Sequence, residues 1–158
     1  MHSSLRFRPI TDDDLEFLQR LYASTRADEM AVVPWSDEEK RVFLDQQFHA
    51  QHTFYHQQFR DARFSLILQD EQPIGRLYLQ HRKDEFRIID ISLMPEARGK
   101  GFGGGILQDI LDEAQQHQLP VRIHVEYNNP AMHLYERLGF VKTDETGVYY
   151  LMERKPDA

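Results

Sequence analysis

The hydrophobic positions change period along the chain, and the changes mark its elements. Leu5 to Pro9, "LRFRP", alternates and predicts a strand. In "ITDDDLEFLQRLYAS" the residues Leu15, Leu18 and Leu21/Tyr22 recur at helical spacing. Thr11 is the candidate N-cap there, and acids fill the first turn. Arg26 to Trp35 has no period and is expected to be irregular, with Pro34 as a stop. "SDEEK" then offers Ser36 as a cap with Glu39 three residues on, the reciprocal pair that opens a helix. A long helix follows, striped by Leu44, Phe48, His52, Tyr55 and Phe59.

From about Arg63 the pattern becomes strand-like. "RFSLILQD", "PIGRLYLQH" and "FRIIDISLM" are separated by the turns "DEQP" (Asp70 to Pro73) and "RKDE" (Arg82 to Glu85). This predicts an antiparallel three-strand meander ending near Met94. A glycine-rich segment and an amphipathic helix (Ile106, Leu107, Ile110, Leu111, Ala114) run to about His117. "LPVRIHVE" is a strand ending near Glu126, and "NPAMHLYERLGF" a short helix stopped by Gly139. "FVKTDETGVYYLMER" closes the chain as two strands around a turn near Glu145 to Gly147. The order β-α-α-β-β-β-α-β-α-β-β is that of an α/β sandwich with a mixed sheet.

The 158 residues suffice for one core, and no repeat or linker divides them, so a single domain over 1–158 is expected. No apolar run approaches the ~18 residues of a membrane span. "MHSSLRFRPI" lacks the charged-then-apolar layout of a secretion leader. The absence of cysteine excludes disulfides, thiolate nucleophiles and cysteine-ligated zinc, and fits a cytoplasmic location. A formal charge of −7 argues against a nucleic-acid partner and permits a cationic one. His49, His52 and His56 lie near one helix face, but no carboxylate or cysteine completes a metal set and Phe48, Phe54 and Phe59 crowd them; no metal is expected.

In "ARGKGFGGGILQDILDEA" five glycines occupy the seven residues from Gly99 to Gly105, at the mouth of a helix. Each glycine inside a helix costs about 1 kcal/mol relative to alanine. What such a segment offers is bare amides: unpartnered N–H groups, a partial positive charge of roughly +0.5 and no Cβ atoms in the way. Arg98 and Lys100 add charge, and Asp109 and Asp112 stay a turn or more away. The segment therefore reads as a diphosphate site. It lacks the Gly-Lys-Ser/Thr ending of a P-loop. Gly99, Gly101 and Gly104 do fit a dinucleotide fingerprint, with Glu126 as the ribose acid, but "PEAR" stands between the strand and the first glycine.

"LMPEARGKGFGGGIL" resembles the pyrophosphate signature of the GNAT acyltransferases, Arg/Gln-x-x-Gly-x-Gly/Ala, with Arg98, Gly101 and Gly103 at its defined positions. "HVEYNNPAMHLYERLGF" resembles the second signature of that family, and the element order is the family's order; the likeness covers nearly the whole chain and is to bacterial members. The resemblance implies a mixed, mostly antiparallel sheet of about seven strands with four helices, splayed between the fourth and fifth strands. It implies acetyl-coenzyme A as cosubstrate and an amine acceptor, either a small molecule or a peptide N-terminus. Ile91, Ser92 and Leu93 would meet the pantetheine arm, and Arg98, Gly99, Lys100, Gly101, Phe102, Gly103 and Gly104 the pyrophosphate. Asn128 would contact the coenzyme, and Tyr135 would protonate the leaving thiolate.

The family's usual base positions match Arg87 and Ile123, neither of which can take a proton, so the base is open among Asp90, His124, Glu126 and a water chain to a more distant carboxylate. Burial in "RIIDISL" would raise the Asp90 pKa. Glu29, Trp35, Phe43 and Tyr78 are candidates to line the acceptor pocket, with Tyr149 and Tyr150 similar. A homodimer through the long helix or the last strand is left open. Two other functions stay open: a non-catalytic acyl-coenzyme A binding module and a dinucleotide-binding domain.

Overall fold

The computed structural model describes residues 5–158; the first four residues of the stretch read for a leader lie outside them. The elements run β1 (Leu5–Pro9), α1 (Leu15–Thr25), α2 (Ala27–Ala31), α3 (Asp37–Gln58), β2 (Arg63–Gln69), β3 (Gln72–His81), β4 (Phe86–Leu93), α4 (Phe102–Gln116), β5 (Val121–Glu126), α5 (Met132–Arg137), β6 (Val141–Thr146) and β7 (Tyr149–Arg154). The helices number five rather than the expected four. The addition is α2, inside the segment expected to be irregular: its one turn carries Asp28 and Glu29 at the start, where acids favour a helix, and is too short to show a period.

Local chemistry explains the clearest boundaries. Ser36 Oγ accepts from the Glu39 N–H at 3.1 Å while the Glu39 carboxylate accepts from the Ser36 N–H at 2.9 Å, so α3 opens on the expected reciprocal cap. At the head of α1 the Thr11 N–H donates to Asp14 at 2.8 Å, and Arg8 of β1 grips the same carboxylate at 2.9 and 3.0 Å. Gly139 after α5 takes φ +94°, the left-handed conformation that ends a helix.

One seven-stranded sheet runs in the order β1-β2-β3-β4-β5-β7-β6. Only β4 and β5 are parallel; the meander and the β5-β7-β6 group are antiparallel. A doubly wound parallel sheet is absent from the described residues, which removes the dinucleotide-binding reading. Two apolar layers sandwich the sheet. Phe102, Ile106, Leu107, Ile110 and Leu111 of α4 and Tyr135 of α5 pack on Leu77, Ile88, Ile123 and Val125. On the other face Leu18, Tyr22, Leu44 and Phe48 of α1 and α3 cover Leu66 and Leu68. No helix of the described residues is long and apolar enough to cross a membrane.

The parallel pair is short. β4 and β5 are in register only at Phe86–Val121, Arg87–Arg122 and Ile88–Ile123. The β3–β4 register shifts next: Leu79 faces Ile88 and Tyr78 faces Asp90, leaving Ile89 as the extra residue of a bulge. A bulge bends its strand and increases the local twist. Beyond it β4 stays on β3 and parts from β5, so Asp90 to Leu93 have no strand on the β5 side.

Candidate active site

Three features converge at the open end of β4. The first is the strand edge from Asp90 to Leu93, half-buried throughout. The second is the mouth of α4. Gly99 and Gly101 take φ +72° and +84°, a left-handed backbone that suits glycine, and the first turn of α4 carries no acid. Arg98 Nε donates to the Leu93 carbonyl at 3.0 Å, tying this turn to the end of β4. Neither Arg98 nor Lys100 forms an ion pair among the described residues, and both side chains are exposed. The third is α5. A Cβ on Gly103 would lie 3.9 Å from Leu93 and one on Gly104 3.6 Å from Leu134, so the mouth of α4 is flanked by β4 on one side and α5 on the other.

The space around Gly103 and Gly104 would accept a methyl group in ordinary contact. The fold therefore does not need glycine at either position. What the glycines leave is backbone without Cβ atoms at the positive end of a helix of 15 residues.

Tyr135 sits on α5, 3% exposed, edge-on to Phe140 at 5.7 Å. Burial first, and the charge of Asp90 second, push its phenol above the usual range. The hydroxyl therefore keeps its proton at neutral pH, and no group among the described residues hydrogen-bonds it. Asn129, not Asn128, caps the segment: its Oδ1 accepts from the Ala131 N–H at 2.7 Å. Asn128 is exposed and unbonded.

The base candidates are all engaged. Asp90 is paired with Arg76 of β3 and accepts from Ser92 Oγ at 2.9 Å. Its side chain remains 25% exposed, so it is less buried than "RIIDISL" suggests. Glu126 takes Arg26, at the end of α1, at 3.3 Å, and the same guanidinium holds Glu29 at 3.3 Å. His124 lies on the face of β5 that carries Glu126 and meets Arg87 at 3.1 Å; burial, then Arg87, lower its pKa.

On the acceptor side, Trp35 is exposed and packs edge-on to Phe43 at 5.2 Å. Tyr149 is exposed too, whereas Tyr150 lies half-buried under Lys142. Tyr78 corrects the expected pocket lining. It is 0% exposed, with the Arg76 guanidinium 4.5 Å over its ring, so its ring is enclosed rather than open to an acceptor. The histidines of α3 stack with one another and with Phe48 and Phe64. No group of three or more histidine or acidic side chains among the described residues is placed to hold a metal ion.

Pattern reading misses Arg76, Arg26 and Tyr55. Arg76 leaves a signal, a lone cation inside the apolar run "PIGRLYLQH", which must find a buried anion. Tyr55 hides in the α3 stripe, edge-on to Tyr78 at 6.0 Å and with no partner for its hydroxyl among the described residues.

Comparison with known proteins agrees with this fold. The acetyltransferase (GNAT) family model matches residues 16–140. The chain is 30% identical over 155 residues to a spermidine N(1)-acetyltransferase of Vibrio cholerae, covering 90% of this chain and 82% of that one. It superposes on the PaiA N-acetyltransferase of Thermoplasma acidophilum, solved with coenzyme A, at a TM-score of 0.71 and 21% identity, covering 96% and 99% of the two chains. A spermidine N-acetyltransferase of Vibrio cholerae, solved with coenzyme A and spermine, superposes at 0.61 and 22% identity, covering 96% and 94%. The chain belongs to the GNAT family of acetyl-coenzyme-A-dependent N-acyltransferases.

Proposed function

We propose that this protein acetylates a primary amine of a small cationic molecule, in preference to a peptide N-terminus, by direct attack within a ternary complex. The observation that carries the reading is the parting of β4 from β5 beside a glycine-rich helix mouth whose first turn carries no acid. The diphosphate of acetyl-coenzyme A rests on the glycine turn from Gly99 to Gly104, with Arg98 and Lys100 beside it and Asn128 as a further contact to the coenzyme. The pantetheine arm runs along Ile91, Ser92 and Leu93, adding hydrogen bonds where β4 has no neighbour. The acceptor enters from the side of Glu29 and Trp35.

The chemistry follows from what faces the opening. The amine nitrogen forms a C–N bond to the thioester carbonyl as the C–S bond breaks. Tyr135 gives its phenolic proton to the departing sulfur. The ammonium loses two protons on the way to an amide. One goes to a carboxylate, Asp90 or Glu126, and on to solvent; the other returns to the tyrosine oxygen. The net charge of −7 and the spermidine-acetylating relative favour a cationic acceptor, and the cysteine-free chain suits the cytoplasm.

Thiol release with acetyl-coenzyme A should be followed against a panel of polyamines, amino acids, aminoglycosides and N-terminal peptides. Saturable turnover, fastest on a polyamine or other polycation, is expected. Acetyl-coenzyme A binding without turnover on any amine would overturn the reading, and fastest turnover on peptides would overturn its acceptor.

A further inference from the structure

We propose that Arg76 is a positioning residue for acetyl transfer: it holds one oxygen of Asp90 from behind and leaves the other facing the gap between β4 and β5, where that oxygen meets the acceptor ammonium. The proposal rests on the reading that acceptor and thioester meet in that gap, and it selects Asp90 over Glu126 as the carboxylate.

Register places the partners. Tyr78 pairs with Asp90 and Arg76 with Ser92, so the four side chains form a square on the sheet face covered by α3. Arg76 is 4% exposed, and every edge of its guanidinium is used. Nε donates to Asp90 Oδ2, Nη2 to Gln51 of α3 at 2.8 Å and Nη1 to the Tyr78 hydroxyl at 3.5 Å. Ser92 Oγ donates to the same Oδ2. Nothing among the described residues bonds Oδ1. Asp90 is the first residue past the bulge, two beyond the last β4–β5 pair. A carboxylate with one oxygen doubly tied, at the point where the strands part, presents its second oxygen in a fixed direction.

The cost argues the same way. A buried guanidinium is expensive to desolvate, and an apolar side chain of similar size often fills such a place at no loss of stability. The pair gives the site a carboxylate that does not rotate, the kind of supporting contact that catalytic geometry needs.

The titratable groups around Asp90 are Arg76 and Tyr78 of β3, Tyr55 and His52 of α3, Tyr135 of α5 and Tyr149 of β7, with Asp14 farther off. Among the described residues Arg76 is the one cation in contact with it.

The test compares Arg76→Met, Arg76→Lys, Asp90→Asn and the Arg76→Met/Asp90→Asn double variant, using the panel amine that wild type acetylates fastest. Arg76→Met should lower kcat/KM by about 10- to 100-fold, with KM for the amine rising more than KM for acetyl-coenzyme A. Asp90→Asn should lose at least as much, and the double variant should be no slower than Asp90→Asn alone. Arg76→Lys keeps the charge without the fork, and should recover part of the rate and part of the KM shift. If Arg76→Met does not fold, the rate of Arg76→Lys decides, a wild-type rate overturning the proposal. An unchanged KM for the amine in a folded Arg76→Met, or losses that multiply in the double variant, would also overturn it. Wild type inactive on every amine would instead overturn the functional reading, and this role with it.

Discussion

At position 135 a tyrosine is packed as tightly as a core residue, yet its hydroxyl has no partner among the described residues. A phenol kept purely for packing would lose nothing as phenylalanine. Tyr135→Phe should leave thermal stability within about 0.5 kcal/mol, since the contact with Phe140 survives. It should lower kcat by about 100-fold with little change in acetyl-coenzyme A affinity. Steady-state kinetics and calorimetric titration check both halves, and an unchanged kcat would remove the acid role. Tyr135 is legible in the sequence because its signal is local, a short helix with a recognisable spelling. Arg76 with Asp90 and Arg26 with Glu126 are not, because those pairs lie 14 and 100 residues apart and only sheet register brings them together. The same limit explains Tyr78: alternation shows that it is inside or outside, not which layer covers it.

Among the elements, α4 trades stability for function at its first turn. Gly103 has room for a methyl group, 3.9 Å from its nearest neighbour, and sits in a helix where alanine is better by about 1 kcal/mol. Gly103→Ala should therefore raise unfolding stability by about that amount while weakening acetyl-coenzyme A binding, because the methyl group covers the amides. Chemical denaturation and titration on the same variant give the two signs; a gain or a loss in both would count against the diphosphate site. Ser36→Ala has the opposite character. It removes one half of the α3 cap and should cost about 1 kcal/mol without touching coenzyme affinity. Every strand and the four longer helices are legible from period and caps. The single turn of α2 is not, since five residues cannot show a 3.6-residue repeat. The parting of β4 from β5 is also invisible in composition; it follows from one unpaired residue, Ile89, in a strand that otherwise alternates.

For the whole molecule, the ionisable groups predict a loss of stability in two stages as pH falls. Burial first, then neighbouring positive charge, holds His52 and His124 below the usual histidine range. The unfolded chain binds those protons more readily, so their contribution is complete above about pH 6.5 and is lost as pH drops toward the lowered folded values. The second stage belongs to carboxylates. The hydrogen bond from Arg8 holds Asp14 low, and for Glu85 the surrounding Arg87, Arg122 and Arg82 outweigh a burial that alone would raise it. Their stabilisation is complete above about pH 4 and is lost as pH falls through the depressed folded values. Salt should weaken the Asp14 share more, because its partner Arg8 is 35% exposed whereas Glu85 also draws on Arg87 and Arg122, which are 16% and 29% exposed. A competing effect runs the other way in the first stage: protonating eight histidines brings the net charge of −7 toward zero and relieves self-repulsion. A difference measurement separates the two. His52 Nδ1 is buried without a partner, so His52→Leu should raise the melting temperature at pH 8 and raise it further at pH 5.5, where wild type must pay to protonate the ring or keep it neutral. The repulsion term is nearly common to both proteins and cancels. Melting curves whose separation stays constant between pH 8 and pH 5.5 would show that His52 is not the source of the first stage.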